Sequence, residues 1–548
     1  MHPQDDPYIL GDEHGFWADT AADRILDRDP EEPIVIKGGI SPSGVPHLGN
    51  MNEIVRGYFV AEVLRERGCD VKQVFTSDDR DPLRKLPRKL ADLDGDIVDL
   101  GDVNAGALGQ NLGAPYTAIP DPFGCCDSYG DHFSTLIAES AELLGIDVEM
   151  VSNTALYEDG DLEDVTAFLL ENRDRAREVL SEYQEKVDED YVPFRPICES
   201  CGHVTETDAV TAIDLDAGTV EYECADVEAG DRTIEGCGHE GTATLRDGKL
   251  PWRFEWPAQW RALGVDFEPF GKDHAEGSWP SGVDVARNVL GDEPPVPMVY
   301  EWFTLDGEPF SSSEGHVVLV QDVLRLLEPE AVRFFFSKDP QRARDFSIER
   351  LDQLVDEFDR MEAVYFGEVD TDEDERERAE RVYPLLVDEI REERIRIPYT
   401  FAAVLGMTDD PALREEIARR EGHVPEDAPR WAVDAALERV ERAREWARRT
   451  DNEFNYDLKR TELPEHDFDA DTEAALDDLA DYIEAEEPAG EDLQGEIYET
   501  AKRHGVDIGS FFAAGYRLFF DEDQGPKLGP FLAKLDREFV LQRLRRNQ

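Results

Sequence analysis

Ile34-Val-Ile-Lys-Gly-Gly-Ile-Ser-Pro-Ser-Gly-Val-Pro-His-Leu-Gly-Asn50 is the stretch on which the fold turns. It begins as a short apolar run of the kind that forms a buried strand, and a loop rich in Gly, Pro and Ser follows. His47-Leu48-Gly49-Asn50 then opens a helix with apolar positions at Val55, Phe59, Val60, Val63 and Leu64. Strand, glycine-rich turn and helix N-terminus together suit a bound nucleotide. Exposed N–H groups and the helix dipole favour phosphate, and glycine lets a ligand approach the backbone. The element carries neither Gly-x-Gly-x-x-Gly nor Gly-x-x-x-x-Gly-Lys-Ser/Thr, so a dinucleotide fingerprint and a P-loop both fail to fit.

Outward from this element, strand–helix alternation from Glu32 to about Pro122 predicts a parallel α/β unit after an acidic segment, 1–30. Val71–Phe75 is its second strand and ends at Thr76-Ser-Asp-Asp79, where side chains line the ligand crevice of such sheets. Gly130–Leu144 reads as helix, Val148–Val151 as strand, Leu162–Val187 as mostly helix and Met298–Leu305 as another strand. Residues 193–247 are cysteine-bearing, Gly-rich and short-stranded, which marks an insertion. From about Leu319 the pattern is almost wholly helical, as in Asp434–Arg449 and Asp471–Glu486. The length of 548 residues is too great for one core. The expected division is 1–192, first half of the α/β domain; 193–247, insertion; 248–340, second half; and 341–548, a helical region.

Two groups hold six of the seven cysteines, and a disulfide framework is not expected. Cys198-x-x-Cys201, Cys224 and Cys237 have thiolate spacing suited to a tetrahedral, structural zinc, with His239 an alternative to Cys237 as fourth ligand. Asp121, Cys125, Cys126 and His132 form a second, less specific group able to close around zinc.

Charge is extreme: 57 Lys+Arg against 126 Asp+Glu give a formal net charge of −69. The acids are dispersed along the chain, and the aromatic and aliphatic content is that of a folded protein, which excludes a disordered acidic tail. Such a surface suits very high salt, where repulsion is screened over about 3 Å at 1 M. Counterion release contributes little under those conditions, so the charge does not exclude a nucleic-acid partner. Basic clusters remain at Arg439–Arg449 and Arg543-Leu-Arg-Arg546. No apolar run has the length of a membrane span, and Met1-His-Pro-Gln-Asp-Asp shows no signal pattern, so a cytoplasmic protein without a membrane partner is expected.

His47-Leu48-Gly49-Asn50 resembles the His-x-Gly-His signature of class I aminoacyl-tRNA synthetases, with Asn50 in the second histidine's place. Gly38 to Asn50 as a whole is similar to the same element in class I lysyl-tRNA synthetases. Thr76–Asp81, Asp121-Pro-Phe-Gly-Cys125, Trp252-Arg-Phe-Glu-Trp256, Phe267–His274 and Ser311-Ser-Ser-Glu-Gly315 carry the same likeness, in order, over most of the first 350 residues. Together with the acidic surface this points to a halophilic archaeon.

The resemblance implies a Rossmann-like parallel-sheet catalytic domain, a zinc-ribbon-like insertion and an all-α anticodon-binding region. It implies ATP and Mg²⁺, L-lysine and tRNA(Lys) as ligands, and a monomer is expected. His47 and Asn50 would give donors to phosphate, with Pro42, Ser43, Gly44 and Gly49 completing the ATP site. Ser311, Ser312, Ser313 and Gly315 stand where the family's Lys-Met-Ser-Lys-Ser loop lies, and both lysines are missing. Gly39, Ser41, Asp79, Trp252, His274 and Tyr300 are the expected lysine contacts, since an ammonium group needs carboxylates and aromatic faces. The family's metal-binding loop near its active site extends the zinc expectation to Asp121, Cys125, Cys126 and His132. Alternatives are a glutamyl enzyme, for which Arg253 would be the cation, a catalytically impaired tRNA-binding protein, and a small-molecule nucleotidyltransferase. In the helical region Trp431, Trp446 and Phe454 are the aromatic residues available to stack on anticodon bases.

Overall fold

The computed structural model describes residues 3–8, 15–230, 232–310, 316–460, 462–486 and 488–547. The chain forms two compact units. The first comprises 1–323, 329–347 and 367–388; the second comprises 324–328, 348–366 and 389–548. Helix Glu373–Leu386, inside the region read as C-terminal and helical, thus belongs to the first unit. Its Arg381 pairs with Asp19 and Glu66, and Tyr58 donates to the Leu385 carbonyl.

Nine elements position the site in the first unit. They are α1 (Trp17–Leu26), β1 (Ile34–Ile40), α2 (Met51–Glu66), β2 (Val71–Ser77), α3 (Tyr129–Leu143), β3 (Glu149–Ser152), α4 (Trp252–Leu263), β4 (Val265–Gly271) and β5 (Val296–Tyr300). The five strands make one all-parallel sheet in the order β5-β4-β1-β2-β3. Such sheets are covered on both faces, which explains the unbroken apolar starts of β1 and β5. Trp256, Trp260, Phe270 and Trp279 pack with Val35 and Val74 in one cluster. The one charge inside β1, Lys37, is 1% exposed and donates to Glu268 of β4 at 2.7 Å; Glu268 also accepts from the Trp256 and Trp260 indoles.

The segment before residue 30 contains α1, whose Asp19 is held by Arg67 and Arg381. The strand read over Met298–Leu305 breaks at Glu301-Trp302: Phe303–Leu305 leaves the main sheet and pairs with Glu308–Pro309 and Arg344–Phe346. The insertion is a three-stranded antiparallel sheet, Val210–Asp214, Thr219–Glu223 and Glu240–Thr244, with Thr219–Glu223 central. Among the described residues no helix is long and apolar enough to cross a membrane.

The second unit is helical. Arg439, on helix Arg430–Thr450, is buried between Glu328 and Asp359 and donates to the Ile397 carbonyl. Arg444 pairs with Asp409, Arg545 with Asp481 and Glu484, and Arg546 with Asp477. These arginines of the two basic clusters are therefore spent on internal neutralisation. Trp446 is buried and donates to the Ile348 carbonyl, Phe454 stacks on it, and Trp431 lies under the Arg391 guanidinium.

Candidate active site at the switch point

In chain order the sheet grows from β1 to β2 and β3, then crosses back to place β4 and β5 on the other side of β1. The crevice beyond the carboxyl ends of β1 and β4 is the switch point where open α/β sheets bind ligands. A cleft lies there, with an inner lobe of about 700 Å³ and an outer lobe of about 920 Å³. Ser41, His47, Asn50, Asp81 and Trp252 line both lobes.

His47 ends the loop and begins a 3₁₀ turn, Leu48–Asn50, that runs into α2. Burial pushes its imidazole down to about 4, so the ring is neutral at pH 7, and among the described residues its buried Nδ1 has no hydrogen-bond partner. Phe310 stacks on the ring with centroids 4.7 Å apart. A Cβ at Gly49 would fall 2.8 Å from the same ring, so glycine is required there. The His47 N–H donates to Asn50 Oδ1 at 2.8 Å, and this bond leaves the Asn50 amide N–H groups as the donor end. Asparagine thus closes the turn and keeps a donor. Tyr129 holds the preceding loop by donating to the Ser43 carbonyl at 2.9 Å. Pro42, Ser43 and Gly44 line the outer lobe and Gly49 the inner.

Gly39, Ser41, Trp252, His274 and Tyr300 all line the inner lobe. At Gly39 a Cβ would lie 2.3 Å from Thr76 Oγ1, so β1 and β2 can approach only with glycine there. Trp252 stacks on Trp256 at 5.3 Å, and His274 Nδ1 is 2.8 Å from Ser278 Oγ. Asp79 is the exception. It is absent from the lining of either lobe, and its carboxylate instead accepts the Thr154 N–H at 2.7 Å. Asp78 and Asp81 take the position expected of it.

Glu53 is the residue that sequence reading missed. It lies in the first turn of α2 and lines the inner lobe. The Gly39 N–H and the Tyr300 hydroxyl both donate to it at 2.9 Å. Burial, the dominant cause, pushes its carboxyl up to about 7. An acid in the first turn of a helix that opens at the His47–Asn50 turn was the available signal. Trp302, 60% exposed at the rim, was missed as well. Asp78 is raised above the ordinary carboxylate range, first by burial and then by Asp81 and Glu255. Arg253 does not line the lobe; it donates to the Gly277 carbonyl and Ser281. Ser311, Ser312, Ser313, Glu314 and Gly315 lie outside the described residues.

Both cysteine groups are assembled. Cys198 and Cys237 sulfurs are 3.6 Å apart, and those of Cys201 and Cys224 are 3.7 Å apart. A tetrahedron with metal–sulfur bonds of about 2.3 Å has edges of about 3.8 Å, so the four sulfurs fit such an ion. His239 turns instead to Glu199, 2.9 Å away. In the second group Cys125 Sγ is 3.3 Å from both Asp121 Oδ2 and His132 Nδ1, and 3.9 Å from Cys126 Sγ. His132 is fully buried, with Nε2 2.8 Å from the Ala91 carbonyl, the outer bond that fixes the ring of a metal-binding histidine.

A family described as "tRNA synthetases class I (K)" matches residues 15–388. Over its full length the chain is 78% identical to the lysine–tRNA ligase of Halobacterium salinarum, all of which is covered. It is 69% identical to that of Haloarcula marismortui, with 99% of this chain and 100% of the relative covered. Against the Pyrococcus horikoshii lysine–tRNA ligase the figure is 34%, over 96% and 99%.

Proposed function

The chain belongs to the class I tRNA synthetases of the lysine type, and from that membership we infer that it joins L-lysine to tRNA(Lys) through a lysyl-adenylate. One observation carries the choice of amino acid within the cleft. The described residues lining the inner lobe include Glu53, Asp78, Asp81 and Asp273 and contain no Lys or Arg. Such a lobe suits an ammonium side chain and opposes the glutamate that a related enzyme would need to hold.

Lysine lies with its ε-ammonium toward Glu53 and Tyr300, Trp252 and His274 flank its stem, and Gly39 and Ser41 face its α-amino end. ATP sits over the loop Pro42–Gly44 and the turn His47–Asn50, accompanied by Mg²⁺. A carboxylate oxygen of lysine attacks the α-phosphorus in line, the bond to the β-phosphate oxygen breaks, and pyrophosphate leaves. A ribose hydroxyl at the tRNA 3′ end then attacks the carbonyl, and AMP departs. His47 and Asn50 act by donating hydrogen bonds to phosphate oxygens, and catalysis here is positioning and charge stabilisation. Ser311, Ser312, Ser313 and Gly315 complete the ATP side in this proposal. A cytosolic monomer is the proposed form.

Zinc is the proposed metal at both cysteine groups: Cys198, Cys201, Cys224 and Cys237 hold one ion, and Asp121, Cys125, Cys126 and His132 the other. Elemental analysis is expected to return two zinc atoms per chain, falling to one in Cys126→Ser. A single zinc in the unaltered protein would remove the second site.

The test of function is amino-acid-dependent ATP–pyrophosphate exchange in concentrated KCl with Mg²⁺ and tRNA. Lysine alone is expected to support exchange, and His47→Ala is expected to lower it by about 10²–10³-fold while tRNA affinity is kept. Exchange with glutamate would overturn the substrate. Silence from folded, metal-loaded protein would leave only tRNA binding.

A further inference from the structure

Residues 84–89, Arg-Lys-Leu-Pro-Arg-Lys, hold four cations in six positions, and no acid occurs from Pro82 to Ala91. In a chain where acids outnumber cations more than two to one, this local balance is inverted. The leucines explain how the ribbon is held. Leu83 and Leu90 are buried, and Leu86 packs against the same cluster. Backbone bonds join Leu83 to Gly113 and Ala114, and Lys89–Ala91 pairs with Ile97–Asp99. Arg84, Lys85 and Arg88 are left exposed between these anchors.

All four cations line the outer lobe, joined there by Arg195 and Lys249, against the carboxylates Asp81 and Glu206. Lys89 is paired with Asp99, while Arg84 and Arg195 share Glu206. Among the described residues Lys85 and Arg88 have no carboxylate partner. Elsewhere the exposed Arg503 and the half-buried Arg545 each hold two.

We propose that this ribbon, through Lys85 and Arg88, receives backbone phosphates of the single-stranded 3′ end of tRNA and leads it into the cleft. The inference rests on the tRNA charging proposed above. Transfer requires the terminal ribose to reach the lysine carbonyl, so a polyanion must enter beside the inner lobe. The inner lobe presents four carboxylates, and the cationic wall next to it is the ribbon. Unpaired cations at contact distance still act when salt screens anything beyond about 3 Å, so the short-range geometry suits a brine. The same phosphate chemistry occurs in ATP, and the two sources give different kinetics.

The test compares Lys85→Ala, Arg88→Ala and the double variant with the unaltered enzyme in aminoacylation and in binding of tRNA. The double variant is expected to raise the KM for tRNA about tenfold or more, leaving kcat and the KM values for ATP and lysine at saturating tRNA unchanged. The exchange pair Lys85→Arg with Arg88→Lys is expected to restore the KM. With tRNA trimmed of its 3′-terminal single strand, the unaltered and variant proteins should bind alike. A raised KM for ATP with tRNA unaffected would assign the cations to the nucleotide and overturn the proposal. A penalty that persists on trimmed tRNA, or no penalty at all, would overturn it too. An unaltered enzyme that fails to charge tRNA would instead defeat the activity on which it rests.

Discussion

Glu53→Gln is expected to raise the KM for lysine by on the order of 10²–10³-fold, with a much smaller change in the KM for ATP. The substitution keeps the size of the side chain and an oxygen for the Gly39 N–H, while its new amide N–H faces the Tyr300 hydroxyl, whose oxygen can accept, so the pocket's shape survives. What is lost is the charge opposite the ammonium. Leaving one partner of a desolvated ion pair unmatched costs about 3–5 kcal/mol, and each 1.4 kcal/mol is tenfold. The pH dependence gives a second readout. Burial holds the Glu53 carboxyl at about 7, so it ionises above that pH and is protonated below it. An ammonium pairs with the ionised form. The kcat/KM for lysine, which follows the free enzyme, is therefore expected to fall about tenfold per unit as pH drops below 7. In Glu53→Gln this limb should be flat. A variant with unchanged lysine KM and an unchanged acid limb would remove Glu53 from lysine recognition.

Removing metal from Cys198, Cys201, Cys224 and Cys237 is expected to unfold the insertion locally while the five-stranded sheet persists. The insertion's own apolar support is thin. On its three strands Val220, Tyr222 and Ala243 are the buried residues, and most other positions are half or fully exposed. Such contacts are worth roughly 2 kcal/mol apiece. A structural zinc supplies on the order of 10 kcal/mol or more to a small cysteine-bound fold. Burial also pushes up the Cys224 thiol, so without a cation its thiolate is costly. Hydrogen exchange after chelation, or in Cys224→Ser, should show protection lost over 198–244 and retained in β1, β2 and β4. A chelated protein free of zinc with its protection pattern intact would show that the cysteines pack without a metal.

Strand–turn–helix, the position of the cleft and both cysteine groups were legible because each rests on local chemistry. Periodicity finds β1 and α2, strand ends find the crevice, and thiol spacing finds the clusters. Asp79 was misjudged because position at a strand end does not settle where a side chain turns: the unpaired Thr154 N–H captured it, and Asp78 and Asp81 face the lobe. Glu53 escaped because its role depends on Tyr300, 247 residues away. The basic clusters at 439–449 and 543–546 stand out in the sequence, yet in the fold Arg439, Arg444, Arg545 and Arg546 all hold carboxylate partners. Composition counts charges, whereas only the fold shows which are already neutralised. The ribbon at 84–89 shows the converse at Lys85 and Arg88, which have no carboxylate partner among the described residues, although Arg84 and Lys89 beside them do.

The buried Lys37 has a consequence for how the chain is made. The partner for one edge of β1, β2, follows it directly in the chain, but the partner for its other edge is β4, whose Glu268 lies 231 residues after Lys37. At about 5–20 residues per second that interval is roughly 10–45 s of synthesis. During it an apolar strand presents an open edge to every neighbouring nascent chain. A lysine in the middle of that strand, still charged and unmatched, makes pairing with a stranger costly. The strand that brings Glu268 supplies the direct ion pair that offsets the penalty, so the same ammonium that guards the edge during translation selects its proper neighbour at the end.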